Sequence, residues 1–528
     1  MPSKLLILGI DAASPALLQR WALEGKLPAM LELMERGASG AIRGVEGFYI
    51  GSTWPSFYTG LNPARHGFYR IEQLRSGSYE FFRPLDTADG VGGTPFWKLA
   101  SDAGRRVAVL DVPLTRLDPS LNGIQIVEWG GHDCVFGFQT SPAGLADEVL
   151  STAGAYPLPS DCDADRKTAA DFDAFVTALE RAAQAKAAIT RKLLAREPWD
   201  LFLQVFTEAH CAGHQCWHLH DPSHPSHDAS VLGALGDPLE RVYRAIDRAL
   251  ASILAEAGDG HVLVLSAHGM SQYRGANFLL SEILYRLGVT ARPATAARSR
   301  AASGALEGIA RAAWRMLPEG ARERLRPVRA KVAPAGSAAS LGSHLQADVR
   351  HSRCFPIPNG SPISGIRLNL VGREPRGSLP RGPETDAFCE QLARDLRAIV
   401  DERTGQPLVR SVQRTDALYE GERRDALPDL LVEWSDAVPT GTLAHAGGRG
   451  ATVRASSDKI GAVEGSNAYV RTGEHVPTGM FLFAGPGVPH AEMREPVSLM
   501  DFHPTLCGLL GLSAPGVDGL PIPGWPPC

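Results

Sequence analysis

The feature that most constrains the fold of this 528-residue chain is a set of apolar runs that are followed by chemically active side chains. Residues 4–10, 201–206 and 261–265 are almost entirely apolar, the pattern of strands buried on both faces of a parallel sheet. Asp11 follows the first run, and His268 comes shortly after the third. Because open α/β sheets bind ligands at the carboxyl ends of their strands, we expect these side chains to converge.

The sequence between these runs alternates strand and helix patterns. Residues 106–110 and 123–127 form further short apolar segments, and amphipathic helices are predicted from about residue 171 to 196 and from about 238 to 255. This alternation is typical of βαβ units. The sequence therefore predicts an α/β fold with a mainly parallel central sheet sandwiched by helices.

The α/β alternation stops between residues 271 and 342. This stretch is rich in Ala and Arg, with Gly- and Ser-rich breaks, and it predicts a helical cap inserted into the core. Its arginines are interpreted as a solvated face, although some could reach an anionic substrate. We expect residues 1–270 to form the first part of the core and 343–528 the remainder, including a helix from about 384 to 404.

The segment after the second apolar run carries histidines at every fourth position. His210 and His214 would fall on one helical face, or converge from a loop, which is how proteins build metal sites. A solvated, His-rich turn is the alternative, because two imidazoles need further ligands from elsewhere. Cys211 and Cys216 lie where a metal could recruit a thiolate, although burial beside the histidines explains them more simply.

Four more residues are candidates for the same site, and three of them have a structural alternative. Asp11 could cap the next helix, and His268 could be a hydrogen-bonded loop histidine. Thr53 opens a short helix, where its hydroxyl would lie near N–H groups that favour anions, but it could also be an N-cap. His475 lies among turn-forming residues at 473–479 and is the remaining candidate ligand.

Composition excludes several classes of function. A net charge of −5 and a pI near 6.4 give no basic bias, so we expect no nucleic-acid partner. The N-terminal apolar stretch is too short for a membrane span and runs directly into Asp11, so we expect no membrane span and a cytoplasmic location. The eight cysteines form no CxxC pair and are interpreted as reduced thiols. Nucleophile-elbow, Walker, dinucleotide-binding and zincin motifs do not occur in the sequence.

Taken in order, these motifs resemble the alkaline phosphatase superfamily, and most closely its type I phosphodiesterase/nucleotide pyrophosphatase branch. The resemblance covers nearly the whole chain outside the cap. The matching segments are 53–56, 59–60, 66–67, 210–214, 266–269, 365–369, 372–375, 428–429, 473–475 and 501–505. Within them, Arg367, Asn369 and Asp429 are interpreted as architectural supports.

The resemblance implies two metal ions, usually zinc, at the carboxyl edge of the sheet, and a Thr or Ser that attacks phosphorus. By matching position, Thr53 is the nucleophile, and Asp11 and His268 hold the metal on its side. The other metal would be held by His210, His214 and His475. The residue types suit this chemistry, because a threonine alkoxide is scarce at neutral pH unless a metal lowers the pKa of the hydroxyl.

Two positions depart from the family pattern. His210 stands where the family has Asp, and Ala267 stands where it has a second Asp, so two carboxylate ligands are missing. Either another carboxylate substitutes, or one metal remains on the three histidines and water on that metal replaces Thr53 as the nucleophile. We favour one well-occupied metal. The candidate substitutes are Glu128, Asp133, Glu208 and Asp458.

The expected function is metal-dependent hydrolysis of phosphodiesters or related phosphoanhydrides and phosphonates, through Thr53 or a metal-bound water. One or two Zn²⁺ ions are expected, with Mn²⁺ as an alternative, and the substrate should be a small anionic molecule. The altered ligands leave open a divergent or inactive scaffold that binds an anionic metabolite or a partner. A phosphoryl transferase is the other alternative.

Overall fold

The structure is a computed structural model that describes residues 4–87, 90–132, 134–158, 163–293 and 345–525. Most of the predicted cap at 271–342 lies outside these residues. Its described part, up to residue 293, contains the end of a strand, a short 3₁₀ helix and one α-helix.

Twenty strands occur within the described residues. They are β1 Leu5–Ile10, β2 Ala38–Arg43, β3 Gln73–Leu74, β4 Phe81–Phe82, β5 Val107–Leu110, β6 Gly123–Val127, β7 Gln139–Ser141, β8 Leu201–Phe206, β9 His261–Ser266, β10 Gly269–Gln272, β11 Cys354–Ile357, β12 Ile363–Leu368, β13 Val400–Asp401, β14 Val409–Arg414, β15 Leu430–Trp434, β16 Thr452–Ser457, β17 Gly461–Ser466, β18 Gly473–Val476, β19 Thr478–Ala484 and β20 Ala491–Ser498.

Fourteen α-helices connect or cover these strands in the described ranges. They are α1 Pro15–Leu23, α2 Pro28–Arg36, α3 Thr53–Thr59, α4 Pro63–His66, α5 Phe96–Asp102, α6 Leu145–Ala153, α7 Ala169–Leu194, α8 Glu208–His220, α9 Ala229–Leu235, α10 Pro238–Leu254, α11 Leu280–Arg286, α12 Pro383–Arg397, α13 Thr415–Leu418 and α14 Phe502–Leu509. Short 3₁₀ helices lie at Pro84–Asp86, Asn277–Leu279, Arg424–Ala426, Ala446–Gly448 and Leu499–Asp501.

Nine strands form the central sheet, in the order β20-β2-β19-β9-β1-β8-β5-β6-β7. The five strands from β9 to β6 in this order run parallel, whereas β19 runs antiparallel between β9 and β2. The predicted α/β fold with a mainly parallel sheet is confirmed. The carboxyl ends of β1, β8 and β9 lie side by side, so the segments that follow them meet at one edge.

Both faces of the sheet are buried, as the continuous apolar runs predict. In β1, Leu6, Leu8 and Ile10 point into a core shared with α1, α2, α7, α8 and α10. Leu5 and Ile7 point to the opposite face, into a core shared with α3, α5 and α14. Because successive strand residues face opposite sides, an apolar run without alternation supplies both cores.

The helix boundaries follow local sequence signals. The helix predicted from about 171 to 196 is α7, which begins earlier because Thr168 and Asp171 form a capping box. The helix predicted from about 238 to 255 is α10, capped by Asp237. The helix predicted from about 384 to 404 ends sooner, at Arg397, because the chain next forms β13. None of the described helices is long and apolar enough to cross a membrane.

The chain after residue 345 does more than complete the core. Strands β11, β12, β15 and β14 form a separate antiparallel sheet, and β13, β16 and β17 form another. With α12 they enclose their own apolar core. The sequence assigns the whole segment 343–528 to the core. Of the described strands in this segment, β19 and β20 join the nine-stranded sheet.

A buried network of charges holds this second unit together. Arg367 donates to Glu374 at 2.8 Å, and Arg373 forms two 2.6 Å hydrogen bonds to the carboxylate of Asp429. The side-chain amide of Asn369 donates to three backbone carbonyls. These contacts agree with the interpretation of Arg367, Asn369 and Asp429 as architectural supports.

Candidate metal centre

Three histidines meet at the carboxyl edge of the central sheet. His210 and His214 lie one turn apart on α8, which begins directly after β8, and both are buried. His475 lies on β18, where it pairs with Met270 of β10. The sequence places His475 in a turn-rich loop, and this expectation is wrong, because the β10–β18 ladder makes the segment a strand. The Nε2 atoms of the three rings are 3.2 Å from one another in every pair.

Two glycines allow the helix and the strand to approach this closely. A Cβ atom on Gly473 would lie 2.2 Å from the carbonyl oxygen of Gly213, and one on Gly213 would lie 2.7 Å from the side chain of Met270. Any larger residue at these positions would separate α8 from β10 and β18. The spacing of His214 and His475 therefore depends on both glycines.

The protonation of the three rings suits a cation. The carbonyl of Gly473 accepts a hydrogen bond from Nδ1 of His214 at 2.8 Å, so the lone pair of that ring lies on Nε2, facing the other two rings. Burial, followed by the charges of neighbouring His and Arg side chains, lowers the pKa of His210, His214 and His475 well below 6.5. The rings are therefore neutral at physiological pH.

The spacing of these nitrogens fits a tetrahedral metal. Zinc binds imidazole nitrogens at about 2.0–2.1 Å, which places two nitrogens of a tetrahedral site about 3.3 Å apart. The observed 3.2 Å separations agree with this value. Within the described residues, His210, His214 and His475 form one of two groups with metal-ligand spacing.

Arg471 contacts the same centre and is absent from the sequence-based prediction. One of its terminal nitrogens lies 3.0 Å from Nε2 of His214, and its Nε donates to both carboxylate oxygens of Asp163 at 2.9 Å. A metal ion and Arg471 would compete for the same lone pair of His214. No motif predicted this contact, because Arg471 and Asp163 are 308 positions apart in the sequence.

The second predicted metal position, with Asp11 and His268 as its ligands, is less complete. Oδ1 of Asp11 lies 4.0 Å from Nε2 of His268 and also accepts a 2.8 Å hydrogen bond from the indole of Trp54. Both ring nitrogens of His268 are buried and have no hydrogen-bond partner among the described residues. Burial lowers the pKa of His268, and Asp11 opposes this effect. Ala267 is fully buried and supplies only a methyl group.

Thr53 lies at the start of α3 and is fully buried. Its hydroxyl donates a 2.5 Å hydrogen bond to the carbonyl of Tyr49. The preceding Ser52 is the N-cap residue, so Thr53 is not an N-cap. Asp11 is not an N-cap either, because α1 is capped at Ser14.

Glu208, a candidate substitute carboxylate, is engaged elsewhere. It forms an ion pair with Lys186 at 3.2 Å, and both side chains have 0% exposure. The hydroxyl of Tyr156 donates to the same carboxylate at 2.9 Å. Lys186 also donates to the carbonyls of Gly130 and Val205. This buried pair therefore lies beneath the start of α8 as a support for the site.

Of the remaining candidate carboxylates, the two that the structure describes do not supply the missing ligand either. Glu128 accepts three backbone hydrogen bonds from residues 135–137, and Asp458 lies exposed in the turn between β16 and β17. Asp133 lies outside the described residues. Glu474 was not singled out from the sequence, yet its Oε1 is 3.8 Å from Nε2 of His475. Burial raises the pKa of Glu474, with Arg471 opposing the shift.

His132 is a further neighbour of the site that the sequence analysis missed. It follows β6, and its ring centroid is 4.1 Å from that of His210. Its position after the carboxyl end of a strand is the same signal that identified Asp11. Strand β6 is three places from β1 in the sheet, however, so only the fold brings its loop to α8.

A cavity of about 570 Å³ is lined in part by Arg471, which contacts His214, and by Glu474, which lies beside His475. Polar and aromatic side chains line the remainder, including Arg70, Tyr273, Asn359 and Tyr469. An anionic molecule with polar substituents would find both positive charge and hydrogen-bonding partners here.

The sheet, the carboxyl-edge donors and the ordered motifs place this chain in the alkaline phosphatase superfamily. The model of the type I phosphodiesterase/nucleotide pyrophosphatase family matches residues 5–353 of the 528, and the chain belongs to that family. Curated protein sequences include none that matches the chain.

Similar solved structures include a murine and a human protein. Murine ectonucleotide pyrophosphatase/phosphodiesterase 5, as an inactive variant in complex with AMP, is 13% identical over 98% of this chain and 97% of that chain, with a TM-score of 0.47. The human protein of the same name is 14% identical over the same shares of both chains, with a TM-score of 0.44.

Proposed function

We propose that this chain is a metal-dependent hydrolase of phosphodiesters or related phosphoanhydrides and phosphonates. A single divalent cation, with zinc as the first choice, would be held by Nε2 of His210, His214 and His475. The observation that carries this proposal is the 3.2 Å separation of three buried, neutral imidazole nitrogens. A divalent cation held there supplies positive charge to phosphoryl oxygens and lowers the pKa of water.

The neighbouring side chains support the same chemistry. Arg471 lines the cavity and is oriented by Asp163, so its guanidinium can donate to a phosphoryl oxygen when a cation occupies the lone pair of His214. Glu474 also lines the cavity, and a buried carboxylate with a raised pKa can accept a proton from attacking water. Positive charge and a base thus flank the proposed position of the phosphoryl group.

We assign the attack to water, and three contacts support this choice over Thr53. The hydroxyl of Thr53 is hydrogen-bonded to the carbonyl of Tyr49. Asp11 is shared with Trp54 and lies 4.0 Å from His268, wider than the spacing of two ligands in a tetrahedral site. Thr53→Ala should therefore slow turnover without abolishing it, whereas attack by Thr53 would require its complete loss.

The test combines metal content with turnover. Elemental analysis of the purified protein should show zinc, and His475→Ala should lose one metal equivalent together with hydrolysis of an activated aryl phosphodiester. His351→Ala serves as the control, because His351 is exposed and pairs with Asp348 away from the site. Failure of the zinc- or manganese-loaded protein to cleave aryl phosphodiesters, monoesters, phosphonates and sulfates would contradict the proposal.

The alanine at position 267 favours one alternative, which is a binding protein without enzymatic activity. Without a carboxylate at this position, the chain could be an inactive scaffold that binds an anionic metabolite. Turnover that disappears in His475→Ala would exclude this alternative. Product analysis with a competing alcohol would separate hydrolysis from phosphoryl transfer. The cytoplasmic location stays a prediction.

A further inference from the structure

A second group with metal-ligand spacing also includes His210. It consists of His132, His210 and Cys211, and one ligand atom from each lies within 4.8 Å of the other two. Nδ1 of His132 is 3.6 Å from Sγ of Cys211. The two groups share His210 and no other member, so they describe two positions for a cation.

The distances and the donor types suit a thiophilic metal. Zinc binds thiolate at about 2.3 Å and imidazole at about 2.0–2.1 Å, which places S and N of a tetrahedral site about 3.6 Å apart. The observed separation of Cys211 and His132 equals this value. A thiolate with two imidazoles is a ligand set typical of Zn²⁺, and a hard cation such as Mg²⁺ would not choose it.

His210 has a nitrogen to offer in addition to the one used by the three-histidine centre. Its Nε2 faces His214 and His475. Its Nδ1 is buried and has no hydrogen-bond partner among the described residues. A buried polar atom without a partner is unfavourable, and a metal ligand would satisfy it.

We propose that His132, Cys211 and His210 form a second zinc site, with the His210 ring shared between two zinc ions. Binding deprotonates the Cys211 thiol, and use of both ring nitrogens also removes the remaining proton of His210. Both protons go to the solvent, so loading of this site consumes no other reactant. The chain thereby gains a second cation without using Asp11 or the position of Ala267.

The test uses the full-length protein loaded with zinc alone or with cobalt(II) alone. The wild type should bind two metals per chain, and its cobalt form should show the near-ultraviolet charge-transfer band of a thiolate ligand. Cys211→Ser should bind one metal fewer and lose this band. Cys216→Ser is the matched control, because Cys216 is also buried on α8 but belongs to neither group, and it should keep both metals and the band.

Further variants separate this inference from the proposed function. His132→Ala should lose one metal while His475→Ala loses the other, and this second variant should keep the thiolate band. One metal per chain that is lost in His475→Ala and retained in Cys211→Ser would overturn the second site and leave the three-histidine centre. If Cys211→Ser fails to fold, His132→Ala gives the same decision, because the charge-transfer band must change when an imidazole ligand is removed.

Discussion

Replacing Lys186 with Met should destabilise the protein severely, because it breaks a fully buried ion pair. The ammonium group donates to the carbonyls of Gly130 and Val205 at 2.8 and 3.0 Å and lies 3.2 Å from Glu208. Without it, the carboxylate of Glu208 would keep only the hydroxyl of Tyr156, since its other oxygen has no partner in the described structure. Removing one member of a buried pair costs about 3–5 kcal/mol.

A double-mutant cycle measures this interaction directly. Glu208→Gln removes the negative charge, so Lys186→Met combined with Glu208→Gln should be more stable than Lys186→Met alone by about 1–3 kcal/mol. Urea unfolding followed by tryptophan fluorescence at neutral pH reports these differences. Lys459→Met is the control, because its 55% exposed side chain pairs with Asp395 at the surface and should change stability by at most about 0.5 kcal/mol.

Lys186→Met should also weaken metal binding. Lys186 also contacts Thr207, directly before α8, and holds the carbonyl of Gly130, two residues before His132. Supports behind metal ligands typically change metal affinity by about 10–100-fold, and we expect a loss in this range for Lys186→Met. A loss of stability below about 1 kcal/mol in Lys186→Met, or additive effects with Glu208→Gln, would refute the reasoning.

Three further perturbations have defined outcomes. Burial lowers the pKa of His66 to about 3, from about 6.5 in the unfolded chain, so below pH 6.5 only the unfolded chain takes up a proton. His66 should therefore cost about 2 kcal/mol of folding stability between pH 7 and pH 5, and His66→Gln should lack this contribution in urea unfolding at the two pH values. Ala267→Asp should bind one metal equivalent more than its parent by elemental analysis, because it adds a carboxylate beside His268; unchanged metal content would show that residue 267 does not face that site. Arg471→Gln should tighten zinc binding, because it removes the donor that competes for His214. It should also raise KM by about 10-fold or more, because the substrate loses a charged hydrogen bond. A lower KM would contradict the proposed role of Arg471 in substrate binding.

The fold followed from the sequence because its strands are buried on both sides. Residues 5–10 and 201–206 are almost entirely apolar, and this pattern distinguishes a covered parallel sheet from other strands. The separate sheets after residue 345 were not predicted, because a short strand looks the same whichever sheet it joins. Their assignment depends on long-range pairing, such as that of β12 with β15.

The candidate site was predictable where spacing or order carried the signal. The four-residue spacing of His210 and His214 identified two members of the three-histidine centre, and motif order supplied His475. His132 and Arg471 could not be found in this way, because each joins the site only through the folding of a distant segment. Both metal sites therefore depend on the order of the strands in the sheet, which brings distant segments together.

The insertion of β19 between β9 and β2 has a consequence for synthesis of the chain on the ribosome. Strand β2 pairs only with β19 and β20 among the described strands, so more than 430 residues must follow it before its first partner exists. At roughly 5–20 residues per second, this wait is on the order of 20 to 90 s. During this time β2 is exposed to mispairing, and the free edge of β9 is exposed from its own synthesis onward. The nascent chain is therefore a candidate client for chaperones. His475 lies on β18, the strand just before β19 in the sequence, so the ribosome must also synthesise this part of the chain before zinc can bind all three histidines.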